Sequence, residues 1–302
     1  MTSNKTFDVI IVGGSYAGLA AAMALGRAMK NVLIIDNGKP CNRQTPHSHN
    51  FLTNDGKKPA EIAAIASLQV SRYDTVKFFT GTAIEGNKTE TGFQIKVATG
   101  EIFETKKIIF ATGIKDLLPA IDGLPECWGI SVIHCPYCHG YEVRHQKTGI
   151  LGNGDTGFEF TRLISNWTKD LTLYSNGKAG FTSIQREKLQ KHEVNIEEKE
   201  IQRLVHNEGH LREIIFKDGT SATLNALYAP GPFEQHCKIP QQMGCGLTEE
   251  GYIGIDQFYE TNIKGIFAVG DNAAKMRTVA NAVAMGTSAG MMISKKMIID
   301  SF

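Results

Sequence analysis

Two stretches of this chain repeat the same order of parts, and that duplication restricts the fold more than any other feature. The first opens with Phe7-Asp8-Val9-Ile10-Ile11-Val12, a continuous apolar run of the kind found in a strand buried on both faces. It ends in Gly13-Gly14-Ser15-Tyr16-Ala17-Gly18, after which an Ala- and Leu-rich helix is expected from Ala17 to Met29. A second apolar strand, Asn31-Val32-Leu33-Ile34-Ile35-Asp36, closes on a carboxylate. Strand, glycine turn, helix, strand and terminal acid is the order of a dinucleotide-binding unit. The amides at the helix start suit a pyrophosphate, and Asp36 suits an adenosine ribose hydroxyl. One position departs from the G-x-G-x-x-G pattern: Ser15 stands where the second glycine lets backbone and pyrophosphate approach closely.

The second copy has the strand Thr148 to Leu151, then the complete turn Gly152-Asn153-Gly154-Asp155-Thr156-Gly157, then a helix expected to run through Trp167. Each copy leads into a stretch of short strands of equal length. Val76 to Gly113 has turns expected at Asn87 and Thr99-Gly100 and ends in Ala111-Thr112-Gly113; Val194 to Gly231 has turns at Asn207-Glu208-Gly209 and Asp218-Gly219. Two copies of one unit predict an α/β chain with two dinucleotide-binding, three-layer ββα Rossmann-like domains and two nucleotide-bearing ligands. The copies differ at their second strand. Where the first ends in Asp36, the second runs Leu171 to Ser175 into Asn176-Gly177-Lys178, with neither the acid that favours a free ribose hydroxyl nor the arginine that favours a 2′-phosphate.

Between the two units lies Ile133-His134-Cys135-Pro136-Tyr137-Cys138-His139-Gly140-Tyr141-Glu142. A Cys-x-x-Cys is a redox disulfide, half of a zinc site, or a pair of inert thiols. Zinc needs two more ligands at matched spacing, and no second Cys-x-x-Cys or His-x-x-x-His follows, so no metal is expected. The place of the pair between two nucleotide signatures favours electron transfer. Charge is balanced, 32 Lys and Arg against 31 Asp and Glu, so no global field recruits nucleic acid or an acidic membrane surface. The longest apolar run, Ala17 to Leu25, is too short to span a bilayer, and the polar start Met1-Thr2-Ser3-Asn4-Lys5 lacks a leader pattern. Six cysteines are too few for a disulfide scaffold, which points to a reducing compartment and a cytoplasmic enzyme.

Near the C-terminus, Gly265-Ile266-Phe267-Ala268-Val269-Gly270-Asp271 reads as a buried strand ending in Gly-Asp, with a helix from about Thr278. With this fourth motif in place, the chain resembles the low-molecular-weight thioredoxin reductases, FAD-dependent disulfide oxidoreductases, over nearly its whole length. The motifs that carry the resemblance are Gly13 to Gly18, Ala111-Thr112-Gly113, the Cys135/Cys138 pair and Gly270-Asp271. The resemblance implies a discontinuous FAD domain, 1–116 with 240–302, and an inserted pyridine-nucleotide-type domain, 117–239, that carries the redox pair. It implies hinges near 115–119 and 233–240, a homodimer, and Asp271 as acceptor for the flavin side chain. It also implies Cys138 against the flavin and Cys135 toward substrate, with a helix after them that lowers a thiolate pKa.

The residue after the second cysteine is His139, where ordinary thioredoxin reductases have an aspartate. Cys-Pro-Tyr-Cys-His-Gly-Tyr-Glu is more similar to a side branch that includes the dithiol oxidases of epipolythiodioxopiperazine and dithiolopyrrolone pathways. A histidine titrating near 6.5 would both take and return a proton near neutrality, and as imidazolium would stabilise a thiolate. The family's arginine stretch is missing at Ser175-Asn176-Gly177, so neither NADPH nor NADH is assigned to the Gly152, Gly154, Gly157 turn. Three readings follow: a thioredoxin-reductase-like enzyme acting on a small dithiol, its disulfide or a thioredoxin-like protein; an oxygen-dependent dithiol oxidase; and a flavin-bound redox sensor. Elsewhere, His47 and His49 either line the flavin or a substrate or, as polar loop histidines more often do, face solvent. Cys41, Cys127, Cys237 and Cys245 read as buried structural thiols, and Trp128 and Trp167 as packing residues. Glu142 either polarises His139 or faces solvent.

Overall fold

The structure, a computed structural model, describes residues 6–302; the N-terminal pentapeptide Met1 to Lys5 lies outside the described residues. Two compact units are present, one of residues 6–43, 50–115 and 233–302, the other of 44–49 and 116–232.

In the first unit β1 (Thr6–Val12), α1 (Tyr16–Arg27), β2 (Val32–Asp36), α2 (Pro59–Val70) and β3 (Val76–Thr80) follow in order. A meander of β4 (Ala83–Lys88), β5 (Phe93–Val97) and β6 (Ile102–Phe110) then brings the chain back beside β1. Asn87 is thus inside β4, and the turn falls after it because Lys88 still pairs with Phe93. The first helix ends at Arg27, earlier than Met29, since Met29 takes a left-handed φ of 55° and the Lys30 amide bonds back to the Leu25 carbonyl.

The chain leaves the first unit through β7 (Ile114–Asp116), and the second unit continues with α3 (Leu124–Cys127), β8 (Val132–Ile133) and the single turn α4 (Pro136–His139). Next come β9 (Thr148–Leu151), α5 (Gly154–Ile164), β10 (Leu171–Tyr174), α6 (Ser183–Lys191) and β11 (Asn195–Glu197). An antiparallel meander, β12 (Ile201–Asn207), β13 (His210–Phe216) and β14 (Ser221–Thr223), leads to β15 (Ala226–Tyr228). Helix α5 stops at Ile164, short of Trp167, where the Ser165 amide closes on the Thr161 carbonyl.

The chain returns through β16 (Phe233–Gln235), which pairs with β7, and α7 (Ile239–Gln242) to β17 (Ile266–Ala268) and α8 (Val279–Asp300) of the first unit. The return therefore falls at 232/233 and not at 240. Strand order in the first sheet is β3-β2-β1-β6, with β17 beside β6; in the second it is β11-β10-β9-β15-β8, and all of these neighbours are parallel. The first core packs α1 against α8 through small residues: a Cβ on Gly286 would lie 2.1 Å from the Ala17 carbonyl oxygen. Such contact needs glycine, because a side chain there would force two backbones apart.

Candidate active site

Ligands of open parallel sheets bind outside the carboxyl ends of the strands. In the first unit β2, β1, β6 and β17 are adjacent, and their carboxyl ends carry Asp36, Gly13, Ala111 and Gly270 respectively. The sheet thus gathers four motifs that lie far apart in the chain. Contacts among them are tight. A Cβ on Gly13 would stand 2.3 Å from the Ala111 carbonyl oxygen, one on Gly18 1.9 Å from the Gly13 carbonyl oxygen, and one on Gly270 3.1 Å from the Ala17 Cβ. The Asp36 carboxylate accepts from the Gly14 amide and the Gly38 amide, both at 2.9 Å. Ser15 is the N-cap of α1 with φ −87°, a conformation open to any residue, so serine is accommodated without backbone strain.

Asn272 was not singled out by its sequence neighbourhood, yet it ties two motifs together. Fully buried, it donates through Nδ2 to the Phe110 carbonyl at 2.9 Å and to Thr112 Oγ1 at 3.3 Å, while its Oδ1 is left without a partner. Its place directly after Gly270-Asp271 was the available signal. Gly113, at φ +63°, has open space where a Cβ would be. Asp271 Oδ2 lies 3.9 Å from Arg277 Nε, so an arginine stands at the entrance of α8 that sequence reasoning had passed over. These features fit FAD. Backbone is exposed where side chains would block it, an anchored carboxylate with spare lone pairs stands at the end of β2, and a buried acceptor remains unsatisfied beside Gly270.

In the second unit β8 occupies the place beside β15 that β17 occupies beside β6. Its carboxyl end runs into His134 and Cys135. Cys135 and Cys138 form a disulfide with a Cα–Cα distance of 5.3 Å. Cys135 is the N-cap of α4, and its Sγ accepts from the Cys138 amide at 3.2 Å. The expected helix after the pair is a single turn, and Gly140 at its end packs closely beside Trp167. A Cβ on Gly140 would meet the Pro136 carbonyl at 2.4 Å and Trp167 Nε1 at 2.9 Å. Trp167 also takes the Tyr137 ring edge-on at 5.5 Å, and Trp128 stacks on His134 at 5.7 Å. The two tryptophans therefore seat the redox turn.

His139 departs from the expectation of an imidazole titrating near neutrality. Burial and the neighbouring charge of His49 push its pKa down to about 4, so at pH 7 it is a neutral imidazole, a proton acceptor and not a standing cation. His47 is exposed, as expected, but His49 is half-buried and sits 3.6 Å from Glu142, which pairs with it and not with His139. Cys41 is exposed, contrary to the expectation of four buried thiols; Cys127 and Cys245 are buried and Cys237 is half-buried.

The Gly152, Gly154, Gly157 turn opens α5 in the same way that Gly13 to Gly18 opens α1. Gly157 is required, since a Cβ there would lie 2.7 Å from the Gly152 carbonyl carbon. The surroundings differ. Asn153 Oδ1 accepts from the Gly154 and Gly180 amides at 2.8 and 2.7 Å, and its Nδ2 donates to the carbonyls of Ser175 and Lys178 at 3.4 and 3.0 Å. The turn thus holds the loop after β10 by its own side chain, where in the first unit the acid of β2 holds the turn. Lys178 is the one cation of Ser175-Asn176-Gly177-Lys178, so these residues do not fit a 2′-phosphate.

A nucleotide cradle at one sheet's carboxyl edge and a formed disulfide at another's are the parts of a flavoprotein oxidoreductase acting on sulfur groups. Residues 7–286 match the pyridine nucleotide-disulphide oxidoreductase family, and the chain belongs to it. It is 31% identical to the thioredoxin reductase tcpT of Claviceps purpurea, over 99% of this chain and 97% of that one. Among solved structures it is similar to an oxidoreductase from Agrobacterium tumefaciens (TM-score 0.91, 35% identity, 97% and 99% covered). It also resembles a putative thioredoxin reductase from Bacillus anthracis (TM-score 0.93, 29% identity, 98% and 100% covered). The family implies FAD as cofactor. Among the described residues, no helix is long and apolar enough to cross a membrane.

Proposed function

We propose that Cys135 and Cys138 exchange an electron pair with a small dithiol or its disulfide, with FAD as their electron partner. The observation that carries the reading is the disulfide at the end of β8, with the Cys135 sulfur already accepting a backbone N–H. Gly13, Gly14, Ser15, Ala17, Gly18, Asp36, Ala111, Thr112, Gly113, Gly270 and Asp271 would hold FAD. When bound, FAD supplies a two-electron acceptor or donor for the cysteine pair.

In the oxidising direction one substrate thiol attacks Cys135, the S–S bond breaks, and Cys138 leaves as a thiolate. The proton of the attacking thiol passes to His139, which is neutral and free to accept it. The second substrate thiol then loses its proton to solvent as its sulfur attacks the substrate sulfur of the mixed disulfide, and Cys135 leaves as a thiolate that keeps the Cys138 amide as donor. One dithiol has become a disulfide, and two electrons reside on the protein pair. The reverse order reduces a substrate disulfide. A thioredoxin-like protein partner has support in the names of the relatives, and the first unit as FAD domain and the second as carrier of the pair agree with the placement of the motifs. Cysteine usage supports a cytoplasmic setting, and the exposed apolar side chains Met291, Ile298 and Ile299 of α8 support a homodimer.

For the nicotinamide side, the loss of a bidentate arginine contact to phosphate removes roughly 1.5–3 kcal/mol, about ten- to a hundredfold in affinity. With Asn153 spanning the turn, we expect slow or negligible reduction by NADPH and faster reduction by a dithiol. Anaerobic titration of the flavin absorbance with NADPH, NADH and dithiothreitol in turn tests this. Rapid stoichiometric bleaching by micromolar NADPH would restore the ordinary thioredoxin-reductase assignment.

A further inference from the structure

Of the eight tyrosines in the chain, two are exposed, and both flank the second cysteine of the redox pair. Tyr137 stands between Cys135 and Cys138 and is 62% exposed; Tyr141 comes three residues after Cys138 and is 65% exposed. A large ring left in water beside a reactive sulfur is informative, because a solvated turn needs no aromatic side chain. Neither ring is loose. The turn that carries Tyr137 is closed by the His139 amide on the Cys135 carbonyl at 3.2 Å and the Gly140 amide on the Pro136 carbonyl at 2.7 Å. Pro136 and Gly140 are buried, and Tyr137 between them faces out. Trp167 fixes the Tyr137 ring from one side, with centroids 5.5 Å apart and planes at 89°, and the rest of the ring stays uncovered. Tyr141 differs: the Arg144 guanidinium lies 3.8 Å over its ring and donates to the Tyr141 carbonyl. Trp128 is likewise engaged, stacked on His134. Tyr137 is therefore the ring beside the disulfide that offers an open face.

The size of that face selects what it suits. A tyrosine buries roughly 150–250 Å² when fully covered, so the uncovered 62% of Tyr137 is on the order of 100–150 Å². That matches the face of one planar ring and is far below the ~800 Å² that each side of a standard protein–protein interface buries. We propose that Tyr137 is a specificity-determining residue whose ring packs against an apolar ring carried by a small dithiol substrate while the substrate sulfur is bonded to Cys135. The proposal rests on the thiol–disulfide reading above and narrows its substrate class to ring-bearing dithiols. Atoms and electrons move as in that reading. The substrate sulfur gives its proton to His139 and bonds to Cys135, and the electron pair of the broken Cys135–Cys138 bond stays on Cys138. Tyr137 exchanges neither proton nor electron; it holds the incoming sulfur at the disulfide through the ring attached to it. A side chain already fixed by Trp167 loses little freedom when a second ring stacks on it, which suits it to this task.

The test uses the full-length holoenzyme, anaerobically, with two probes: ortho-benzenedimethanethiol, which carries a ring, and dithiothreitol, which does not. Opening of the Cys135–Cys138 disulfide is followed by alkylation quench and intact mass, and the readout is the ratio of the two rates. The same two thiols meet every variant, so their intrinsic reactivities cancel when ratios are compared. Tyr137→Ala and Tyr137→Leu should each lower the ring-to-ring-free ratio by roughly two- to tenfold, the worth of one aromatic pair. Leucine keeps an apolar contact for Trp167, so it reports even where alanine loosens the turn. Tyr137→Phe should retain the wild-type ratio. A ratio that alanine and leucine share with wild type, equal slowing of both thiols included, would overturn the proposal and leave the thiol–disulfide reading standing. Reduced thioredoxin that opens the disulfide faster than either probe, and loses that advantage in Tyr137→Ala, would assign the ring to a protein partner and overturn the proposal as well. A wild-type disulfide that dithiothreitol does not open would overturn the thiol–disulfide reading and the proposal with it.

Discussion

The depressed pKa of His139 is a statement about stability as well as catalysis. An unfolded histidine titrates near 6.5, whereas in the folded chain burial and His49 bring His139 down to about 4. Between those values the unfolded chain binds a proton that the folded chain refuses, so stability is full above about pH 6.5 and is lost as pH falls toward 4. At 1.36 kcal/mol per pH unit the window is worth on the order of 3 kcal/mol, most of it gone by pH 4.5. His139→Gln removes the titration while keeping a polar side chain of similar reach. The chain's two tryptophans, Trp128 and Trp167, both lie in the second unit, so urea unfolding followed by tryptophan fluorescence reports the unit that holds His139. Wild type should lose on the order of 2–3 kcal/mol more than His139→Gln on going from pH 7 to 4.5, the carboxylate titrations being common to both. Equal losses would refute the neutral, half-buried imidazole. The kinetic counterpart is a rate of disulfide opening that stays flat well below pH 6.5 in wild type, as a base with pKa about 4 requires.

Other consequences can be checked separately. Gly18→Ala would drive a methyl group to 1.9 Å from the Gly13 carbonyl oxygen, so the purified variant should contain little or no flavin by absorbance, whereas wild type should release FAD and not FMN on denaturation. Cys135→Ser should leave a Cys138 thiolate that gives long-wavelength flavin absorbance, and Cys138→Ser should not; the opposite pattern would exchange their roles. Met29→Gly should raise the melting temperature of the first unit by an amount equivalent to about 1 kcal/mol, because the native φ of 55° is strained for methionine and its side chain is exposed. Gly286→Val should destabilise by roughly 1–3 kcal/mol through the α1–α8 contact, and an unchanged melting temperature would refute the close packing inferred there.

Legibility in the sequence followed the range over which each feature is determined. The glycine turns, the buried parallel strands and the Cys-x-x-Cys are local patterns whose chemistry is fixed by adjacent residues, and they could be read directly. What could not be read depends on residues brought together across the sheet. The packing of Trp167 beside Gly140 at the end of α4 is such a contact, and no propensity of Pro136 to His139 reveals it. Likewise a lone His49 in Gln44-Thr45-Pro46-His47-Ser48-His49-Asn50 looks like a solvated loop residue until residues 44–49 are seen to pack with the second unit beside Glu142. Asn272 needed the pairing of β17 with β6 before its two bonds to Phe110 and Thr112 had meaning.

The two units also show how one scaffold is put to two uses. Each has a glycine turn after its first strand and a parallel strand added beside the strand that returns from the meander, β17 beside β6 and β8 beside β15. The carboxyl end of the added strand is the position that differs. In the first unit it presents Gly270-Asp271 with a buried, unsatisfied Asn272 oxygen, suited to holding a polar ligand still. In the second it presents His134-Cys135 and a disulfide, suited to reaction. The nucleotide turn of the second unit diverges in step: Asn153 bonds the loop after β10 to the turn through its own side chain. Those bonds tie turn and loop together from within the chain, next to β9, α5 and the adjoining β15–β8 pair. On that argument the second glycine turn serves the cysteine pair as scaffold, and Asn153→Gly should loosen the redox turn more than it affects any response to NADPH.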